Sequence, residues 1–310
     1  MITILGAGAF GTALAVSWSQ AQKVTLWSRR LPEDRRSPRL PDVQIPEQVM
    51  LTDDLASALS DTVVLALPAQ SLRGFLTENA ALLNGRRLVS TAKGIDLMTA
   101  ESPSGLILKS CPDASVATLT GPSFAADIAR GLPTALTLAC ADEGAVALQH
   151  LLSTPSLRLY RTDDLRGAEL GGALKNVIAI AAGVSIGAGF GDSARAALIT
   201  RGFAEMTRLA TDMGARAETL AGLSGLGDLV LTATSGLSRN FRYGYALGAG
   251  ETFDETVTVE GAKTAQAVSA IAAGRGIATP IADAVAALAE GRASVADSVL
   301  ELLRRPLKEE

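Results

Sequence analysis

The sequence of 310 residues predicts an α/β domain with a doubly wound, mostly parallel sheet, followed by an all-helical domain. Apolar strand-like runs alternate with helical segments in the first half of the chain, and a glycine-rich loop follows the first of those runs. Beyond about residue 163 the strand pattern stops, while a helical period rich in alanine and leucine continues. We therefore place the boundary near residues 162–167, with domains at 1–164 and 165–310.

The first element combines a strand, a loop and a helix. The apolar run 2–5 leads into Gly6, Gly8 and Gly11, and an alanine-rich helical stretch follows at 12–21. A tight turn requires Gly6, approach of a pyrophosphate to the backbone requires Gly8, and close strand-to-helix packing requires Gly11. Free N–H groups at the helix start favour an anion. The segment predicts a dinucleotide-binding Rossmann-type domain, although the same motif alone can mark a bare turn.

The other predicted strands are short and apolar, as in a parallel sheet that helices cover on both faces. They lie at 24–27, 49–51, 63–67, 88–91, 116–119, 134–139 and 157–160, with helical segments at 54–60, 70–83 and 123–130. Helices of the second domain are expected at 169–183, 193–213, 264–273 and 281–291.

Composition excludes several classes of protein. With 48% hydrophobic and 19% charged residues the chain can fill buried cores, and a net charge of −4 argues against a nucleic-acid surface. Two cysteines, Cys111 and Cys140, and one histidine, His150, argue against a disulfide framework and a metal site. The N-terminus lacks the basic region of a signal peptide, and we find no uninterrupted apolar stretch of about 18 residues. We expect a cytoplasmic protein with no membrane span.

Lys175 is the main candidate for acid–base chemistry. We expect His150 in a surface helix, where it would have no catalytic role, whereas nearly every position after Glu169 in the helix of Lys175 is apolar or tiny. Loss of hydration there lowers the pKa of an ammonium toward the range useful for proton transfer. Gly171 and Gly172, one turn earlier, are expected to leave space for a ligand. The alternative is a lysine that snorkels along a helix face.

Other polar residues stand out from their surroundings. Lys93 directly follows a buried strand, at the carboxyl edge where ligands bind, and Gly121 permits close backbone approach in a loop. Asp228 lies among apolar residues and glycines, so it needs a partner, for which Lys175 is the natural candidate; alternatively it caps the following segment. The run 238–240 offers a hydroxyl, a guanidinium and an amide suited to a phosphate, although such turns are also frequent on surfaces.

Together these segments resemble the NAD(P)-dependent glycerol-3-phosphate dehydrogenase family of bacteria over nearly the whole chain. The resemblance rests on residues 6–15, 92–94, 121–124, 169–177 (ELGGALKNV), 197–202, 222–229, 238–240 and 259–261. It implies reversible reduction of dihydroxyacetone phosphate to sn-glycerol 3-phosphate, the entry step to the glycerophospholipid backbone, by a homodimer.

The resemblance also implies roles for single residues. Lys175 would donate the proton in reduction and accept it in oxidation, with Asp228 beside it in the catalytic group, while hydride passes between nicotinamide and substrate C2. The substrate would be surrounded by Lys93, Gly121, Ser123, Lys175, Asp228, Ser238, Arg239 and Asn240, and the last two of these would hold its phosphate. The cofactor would contact Gly6, Gly8, Ala9, Phe10, Gly11, Arg29, Lys93, Ala125, Arg239, Thr258 and Glu260.

The residues after the second strand bear on the choice of cofactor. The acid expected about twenty positions beyond the glycines is missing, and Ser28, Arg29 and Arg30 follow the strand instead. A guanidinium suits a 2′-phosphate, so we expect NADP(H) to be preferred and NAD(H) to be usable. The segment 31–49 is shorter than the family leads us to expect, which affects the adenine end of the site.

Two alternatives remain at this point. A two-domain reductase of β-hydroxy or keto acids would also use a buried lysine and a glycine loop, but the phosphate grip at 238–240 and the segment 222–229 argue against it. A catalytically silent Rossmann protein that senses the NADP(H) ratio would have no reason to retain Lys175, Asp228 and Arg239 together.

Overall fold

The computed structural model describes residues 1–31, 33–254 and 257–303, so the last residues of the predicted second domain, 304–310, lie outside the description. Its strands are β1 (Ile2–Leu5), β2 (Val24–Trp27), β3 (Arg36–Ser37), β4 (Leu40–Gln44), β5 (Val49–Thr52), β6 (Thr62–Leu65), β7 (Arg87–Ser90), β8 (Ser115–Thr120), β9 (Thr134–Cys140) and β10 (Leu157–Thr162). Eight of them form one sheet in the order β10-β9-β8-β7-β6-β1-β2-β5. Pairing is parallel except between β8 and β9, which confirms a mostly parallel sheet.

Helices cover both faces of this sheet: α1 (Ala9–Ser19), α2 (Leu55–Ala58), α3 (Ala69–Leu83), α4 (Pro103–Ser110), α5 (Ala125–Ala129) and α6 (Ala145–Leu152). A separate hydrophobic core lies on each face of the sheet, and alternate residues of β6 pack into one core or the other. Val64 packs with the core that includes Leu14 and Leu148, whereas Val63 and Leu65 pack with the core that includes Leu72. The doubly wound arrangement is therefore confirmed.

Two elements before residue 165 were not predicted. The first is α4, whose start carries a recognisable signal, because Ser102 caps the helix by accepting from the Gly105 N–H and Pro103 occupies its first turn. The second is the antiparallel hairpin β3–β4 within the short segment 31–49. Ser37 of this hairpin is fully buried, and its Oγ donates to the Ala7 carbonyl oxygen at 2.9 Å. The hairpin is thereby fastened to the glycine loop.

The chain becomes helical after β10 ends at Thr162. The helices are α7 (Leu165–Gly187), α8 (Gly191–Asp212), α9 (Ala217–Ala221), α10 (Asp228–Ala233), α11 (Arg239–Ala249), α12 (Glu260–Arg275), α13 (Pro280–Ala289) and α14 (Val295–Leu303), with a π-helical turn at Leu223–Gly227. No strand occurs among the described residues of this part. We call residues 1–164 the sheet region and the residues from 165 the helical region.

The central helix of the helical region is α7. By length and composition it could cross a membrane, although Lys175 and Asn176 interrupt its apolar residues, and 89% of its apolar window is buried inside the protein. The backbones of α7 and α11 are in direct contact. A Cβ on Gly183 would lie 2.1 Å from the Phe241 carbonyl oxygen, and a Cβ on Gly244 would lie 2.0 Å from the Ile180 carbonyl oxygen. This close crossing brings the first turn of α11 beside α7.

Candidate active site

Three charged side chains meet where the sheet region joins the helical region. Lys175 of α7 donates from Nζ to Oδ1 of Asp228 at 2.7 Å. Lys93, which follows β7, donates from Nζ to Oδ2 of the same carboxylate at 2.6 Å, and to the Gly121 carbonyl oxygen at 3.2 Å. One carboxylate therefore joins two amines that come from different regions of the chain, and the structure brings together four of the residues singled out in the sequence.

Thr232 also belongs to this cluster, although the sequence analysis missed it. Lys175 Nζ donates to Thr232 Oγ1 at 2.6 Å, and that hydroxyl in turn donates to Asp228 Oδ1 at 3.3 Å. The available signal was spacing, because residues four apart in a helix lie on one face and Thr232 is four residues after Asp228 in α10.

Burial sets the protonation of the cluster. Lys175 is only 5% exposed, which contradicts the snorkelling alternative. Burial lowers the pKa of Lys175 to about 8, helped by the charge of Lys93 and opposed by the charges of Asp228 and Glu260. Burial alone would raise the pKa of the Asp228 carboxyl, but the charges and hydrogen bonds of the two lysines hold it below its ordinary value. The amine can thus gain or lose a proton near neutral pH while the carboxylate stays charged.

The π-helical turn Leu223–Gly227 directly precedes Asp228, and turns of this kind are frequent at functional sites. Asp228 is the first residue of α10 and Gly227 occupies the cap position, so the alternative that Asp228 serves as a cap was wrong. A Cβ on Gly171 would lie 2.7 Å from the Ser224 carbonyl oxygen, and one on Gly172 2.8 Å from Thr120 Oγ1. The expectation that these glycines leave room for a ligand was therefore wrong: they let α7 pack against the π turn and β8.

The start of α11 supplies groups suited to an anion. Ser238 caps the helix, with its Oγ accepting from the Phe241 N–H at 3.2 Å. Asn240 Oδ1 accepts from the Gly261 N–H at 3.0 Å, and its amide NH2, a donor group, has no hydrogen-bond partner among the residues that the structure describes. Arg239 is exposed and forms no ion pair with the described carboxylates. The first turn of α11 therefore carries a guanidinium, an amide and the positive end of a helix dipole, which are all groups that can bind an anion.

Glu260 begins α12 on another side of the cluster. It is half-buried, and burial raises the pKa of its carboxyl. The positive charges of Arg239, Lys93 and Lys175 and a hydrogen bond with the backbone of Ala69 oppose this rise. Since Ala69 is the first residue of α3, Glu260 also connects the helical region to the sheet region. Thr258 lies exposed two residues earlier.

The glycine loop has the geometry predicted for it. Gly6 has φ +117°, which disfavours any side chain, and a Cβ there would lie 2.5 Å from the Ala66 carbonyl oxygen. A Cβ on Gly11 would lie 2.0 Å from the Gly6 carbonyl oxygen, whereas one on Gly8 would meet nothing within 4 Å. The backbone is therefore tightly packed at Gly6 and Gly11, whereas there is open space at Gly8. Helix α1 begins directly after Gly8, at Ala9.

The other predicted site residues lie around this loop and the Gly121 turn. Phe10 is half-buried in the first turn of α1, and Arg29 is exposed just after β2. Gly121 has φ +136°, and Ser123 Oγ donates to its carbonyl oxygen at 3.3 Å. Ala125 begins α5. In the part of the chain that the structure describes, no three His, Cys, Asp or Glu residues are grouped as metal ligands would be.

Comparison with known proteins identifies relatives over the full length. Residues 1–146 match the family model of the NAD-dependent glycerol-3-phosphate dehydrogenase N-terminus, and residues 164–300 match that of the C-terminus. The protein named glycerol-3-phosphate dehydrogenase, NAD(P)+, of Paracoccus denitrificans is 63% identical over 312 residues, covering 100% of this chain and 99% of its own. The protein of the same name from Cereibacter sphaeroides is 64% identical over 311 residues, which cover 100% of both chains. A crystal structure of glycerol-3-phosphate dehydrogenase from Coxiella burnetii, 35% identical, superposes with a TM-score of 0.91 over 98% of each chain.

Proposed function

Because the chain belongs to the NAD-dependent glycerol-3-phosphate dehydrogenase family, we propose that Lys175 gives and takes the proton in the reaction of this family, the reversible reduction of dihydroxyacetone phosphate to sn-glycerol 3-phosphate with NAD(P)H. The observation that supports this role most directly is the buried Lys175 ammonium, with a pKa of about 8, held by Asp228. Family membership sets aside both the keto-acid reductase and the silent sensor.

The proton transfer follows from the charges in the cluster. As hydride reaches C2 of the ketone, negative charge develops on the carbonyl oxygen, and a nearby ammonium both stabilises that charge and supplies the proton. Lys175 Nζ becomes a neutral amine, which takes the proton back in the oxidation. Asp228 remains a carboxylate in both directions and orients the amine, while Lys93 supplies a second positive charge.

The cofactor fits the glycine loop, because Gly8 leaves open space beside the start of α1. Gly6, Gly8, Ala9, Phe10 and Gly11 would hold the pyrophosphate end, and Lys93, Ala125, Arg239, Thr258 and Glu260 would complete the site. When bound, the nicotinamide supplies or accepts the hydride. We propose a preference for NADP(H), with NAD(H) accepted, because Arg29 is exposed after β2 and has no ion-pair partner among the described residues.

The substrate would lie between the lysines and the start of α11. Arg239 and Asn240 would hold its phosphate next to Ser238, since both residues carry hydrogen-bond donors in the first turn of α11, beside the positive end of the helix dipole. Lys93, Gly121 and Ser123 would line the opposite side.

We also propose that the sheet and helical regions are the two domains predicted at 1–164 and 165–310; the change from β10 to α7 and the start of the C-terminal family model at residue 164 support this boundary. A homodimer is proposed from the resemblance, and a cytoplasmic location from the sequence features described above. Light scattering on the purified protein tests the dimer, for which a monomer mass is the contrary result.

The proposed role of Lys175 is tested by Lys175→Ala. We expect turnover of dihydroxyacetone phosphate, followed by the absorbance of the reduced nicotinamide, to fall by about 10²–10⁴-fold, while the cofactor binds as before. Lys109→Ala is the matched control, because Lys109 is 67% exposed and pairs with Glu101 on the surface. Near-normal turnover of Lys175→Ala would remove Lys175 from the mechanism.

A further inference from the structure

Glu169 is a buried carboxylate that the proposed mechanism does not use. It lies in α7, and its residue is only 5% exposed. Oε1 accepts from the Ser104 N–H at 2.8 Å and from Thr118 Oγ1 at 3.1 Å, and Oε2 accepts from Ser104 Oγ at 2.7 Å. Ser104 lies in the first turn of α4 and Thr118 in β8, so every one of these donors belongs to the sheet region.

A carboxylate in this position is costly unless it is fully hydrogen-bonded. Burial raises the pKa of Glu169, and hydrogen bonds from Ser104, Ser102 and Thr118 oppose that rise. The start of α4 adds the positive end of a helix dipole. An apolar residue would fill the same volume without this cost. The hydrogen bonds from Glu169 to the sheet region therefore indicate a role in fixing the position of α7, beyond filling space.

The bonds of Glu169 lie a short way along the chain from Lys175 on one side and from Gly121 on the other. Lys175 follows Glu169 by six residues in α7, a rise of about 9 Å in a helix. Gly121, whose carbonyl oxygen holds Lys93, follows Thr118 by three residues, about 10 Å along an extended chain. A sliding or tilting of α7 against β8 would therefore change the separation of Lys175 from the Lys93 side of the site.

We propose that Glu169 is a positioning residue that holds the helix of Lys175 in register with the strand leading to Gly121. This inference rests on the proposed function of Lys175. It assigns Glu169 no contact with substrate or cofactor.

The chain offers a matched control in Glu205. This second buried glutamate, 7% exposed, accepts from the N–H groups of Ile281 and Ala282, both at 3.0 Å, at the start of α13. Burial raises the pKa of its carboxyl as well. All of its partners lie in the helical region, so Glu205→Gln removes a comparable buried charge without loosening the junction between the regions.

The experiment compares Glu169→Gln with Glu205→Gln. We expect Glu169→Gln to lower kcat by about ten- to hundredfold, because small misplacements of catalytic groups have effects of this size, while the KM for the cofactor changes less than about twofold. We also expect the fall of kcat/KM for reduction above about pH 8 to move, since altered distances to Asp228, Lys93 and Glu260 change the proton affinity of Lys175. Glu205→Gln should lower the melting temperature alone.

Thr118→Val provides a second variant should Glu169→Gln not fold. It removes one of the three bonds and should change kcat and the pH profile in the same direction, by a smaller factor. The proposal would be overturned if Glu169→Gln kept the wild-type kcat and pH profile. If Glu169→Gln does not fold, the same result in a folded Thr118→Val would overturn it. An equal fall of kcat in Glu205→Gln would also overturn it. Failure of the proposed function itself would be distinguishable, because it would appear as an inactive wild type or an active Lys175→Ala.

Discussion

Replacing Asp228 by asparagine should shift the pH range in which this enzyme reduces its substrate. The substitution keeps the size of the side chain but removes the charge that contacts Lys175 at 2.7 Å and Lys93 at 2.6 Å. A hydrogen bond between charged groups is worth about 1.5–3 kcal/mol, which corresponds to roughly one to two pH units. Burial and the charge of Lys93 then act on Lys175 with less opposition, so its pKa should fall below the wild-type value of about 8.

The sign of the effect differs between the two directions of the reaction. In the proposed mechanism reduction requires the Lys175 ammonium, so kcat/KM for dihydroxyacetone phosphate should fall above about pH 8 in the wild type, and in Asp228→Asn this fall should begin roughly one to two pH units lower. Oxidation requires the neutral amine, so kcat/KM for glycerol 3-phosphate should reach its plateau at lower pH in the variant.

The measurement is a pair of pH profiles of kcat/KM, which report the pKa of the free enzyme. Asp212→Asn is the control, because Asp212 pairs with Arg275 at 2.8 Å on the surface and should leave both profiles unchanged. Breaking a buried ion pair costs about 3–5 kcal/mol of stability, so a thermal melt must show that the variant is folded. A descending limb that stays near pH 8, or moves upward, would refute the reasoning.

Three further substitutions test other parts of the structure. Arg29→Ser should raise the KM for NADPH and leave that for NADH unchanged, because a 2′-phosphate loses its guanidinium; equal effects on both would contradict the assigned preference. Gly171→Ala should reduce both turnover and melting temperature, since its Cβ would lie 2.7 Å from the Ser224 carbonyl oxygen, and overpacking costs about 1–3 kcal/mol. Ser37→Ala loses a hydrogen bond of about 0.5–1.5 kcal/mol to the glycine loop, so cofactor KM should rise roughly two- to tenfold at constant kcat; an unchanged KM would show that the hairpin does not support the loop.

The fold was largely predictable because its strands are buried on both faces. The segments Ile2–Leu5 and Val24–Trp27 are apolar except for one threonine each, all their residues are buried, and the structure has them at the predicted bounds. The hairpin β3–β4 was missed because its burial pattern is irregular: Leu40 is buried, but Pro41 and Asp42 are exposed, so neither periodicity is present. Its position depends on the bond from the Ser37 hydroxyl to the Ala7 carbonyl oxygen and on burial of Leu40 in the core of the sheet region, and no local pattern encodes such long-range contacts.

The candidate site was predictable where a residue conflicts with its surroundings. Lys175 and Asp228 each place a charge in an apolar segment, and the structure brings them together. Gly171 was misinterpreted because a small residue leaves space only if nothing fills it, and here the backbone of the π turn does. Thr232 was missed because a threonine in a helix contradicts no local rule.

The arrangement also supports the proposed role of Lys175 as the proton carrier in both directions. An exposed lysine would stay protonated near neutral pH and could donate but not accept. Burial of Lys175 beside Lys93 pushes its pKa down, and the carboxylate of Asp228 limits that fall to about 8, so both protonation states are populated under ordinary conditions. The same carboxylate leaves the cluster of two amines and one acid with a single net positive charge, which favours a substrate phosphate while avoiding the repulsion of two bare ammonium groups.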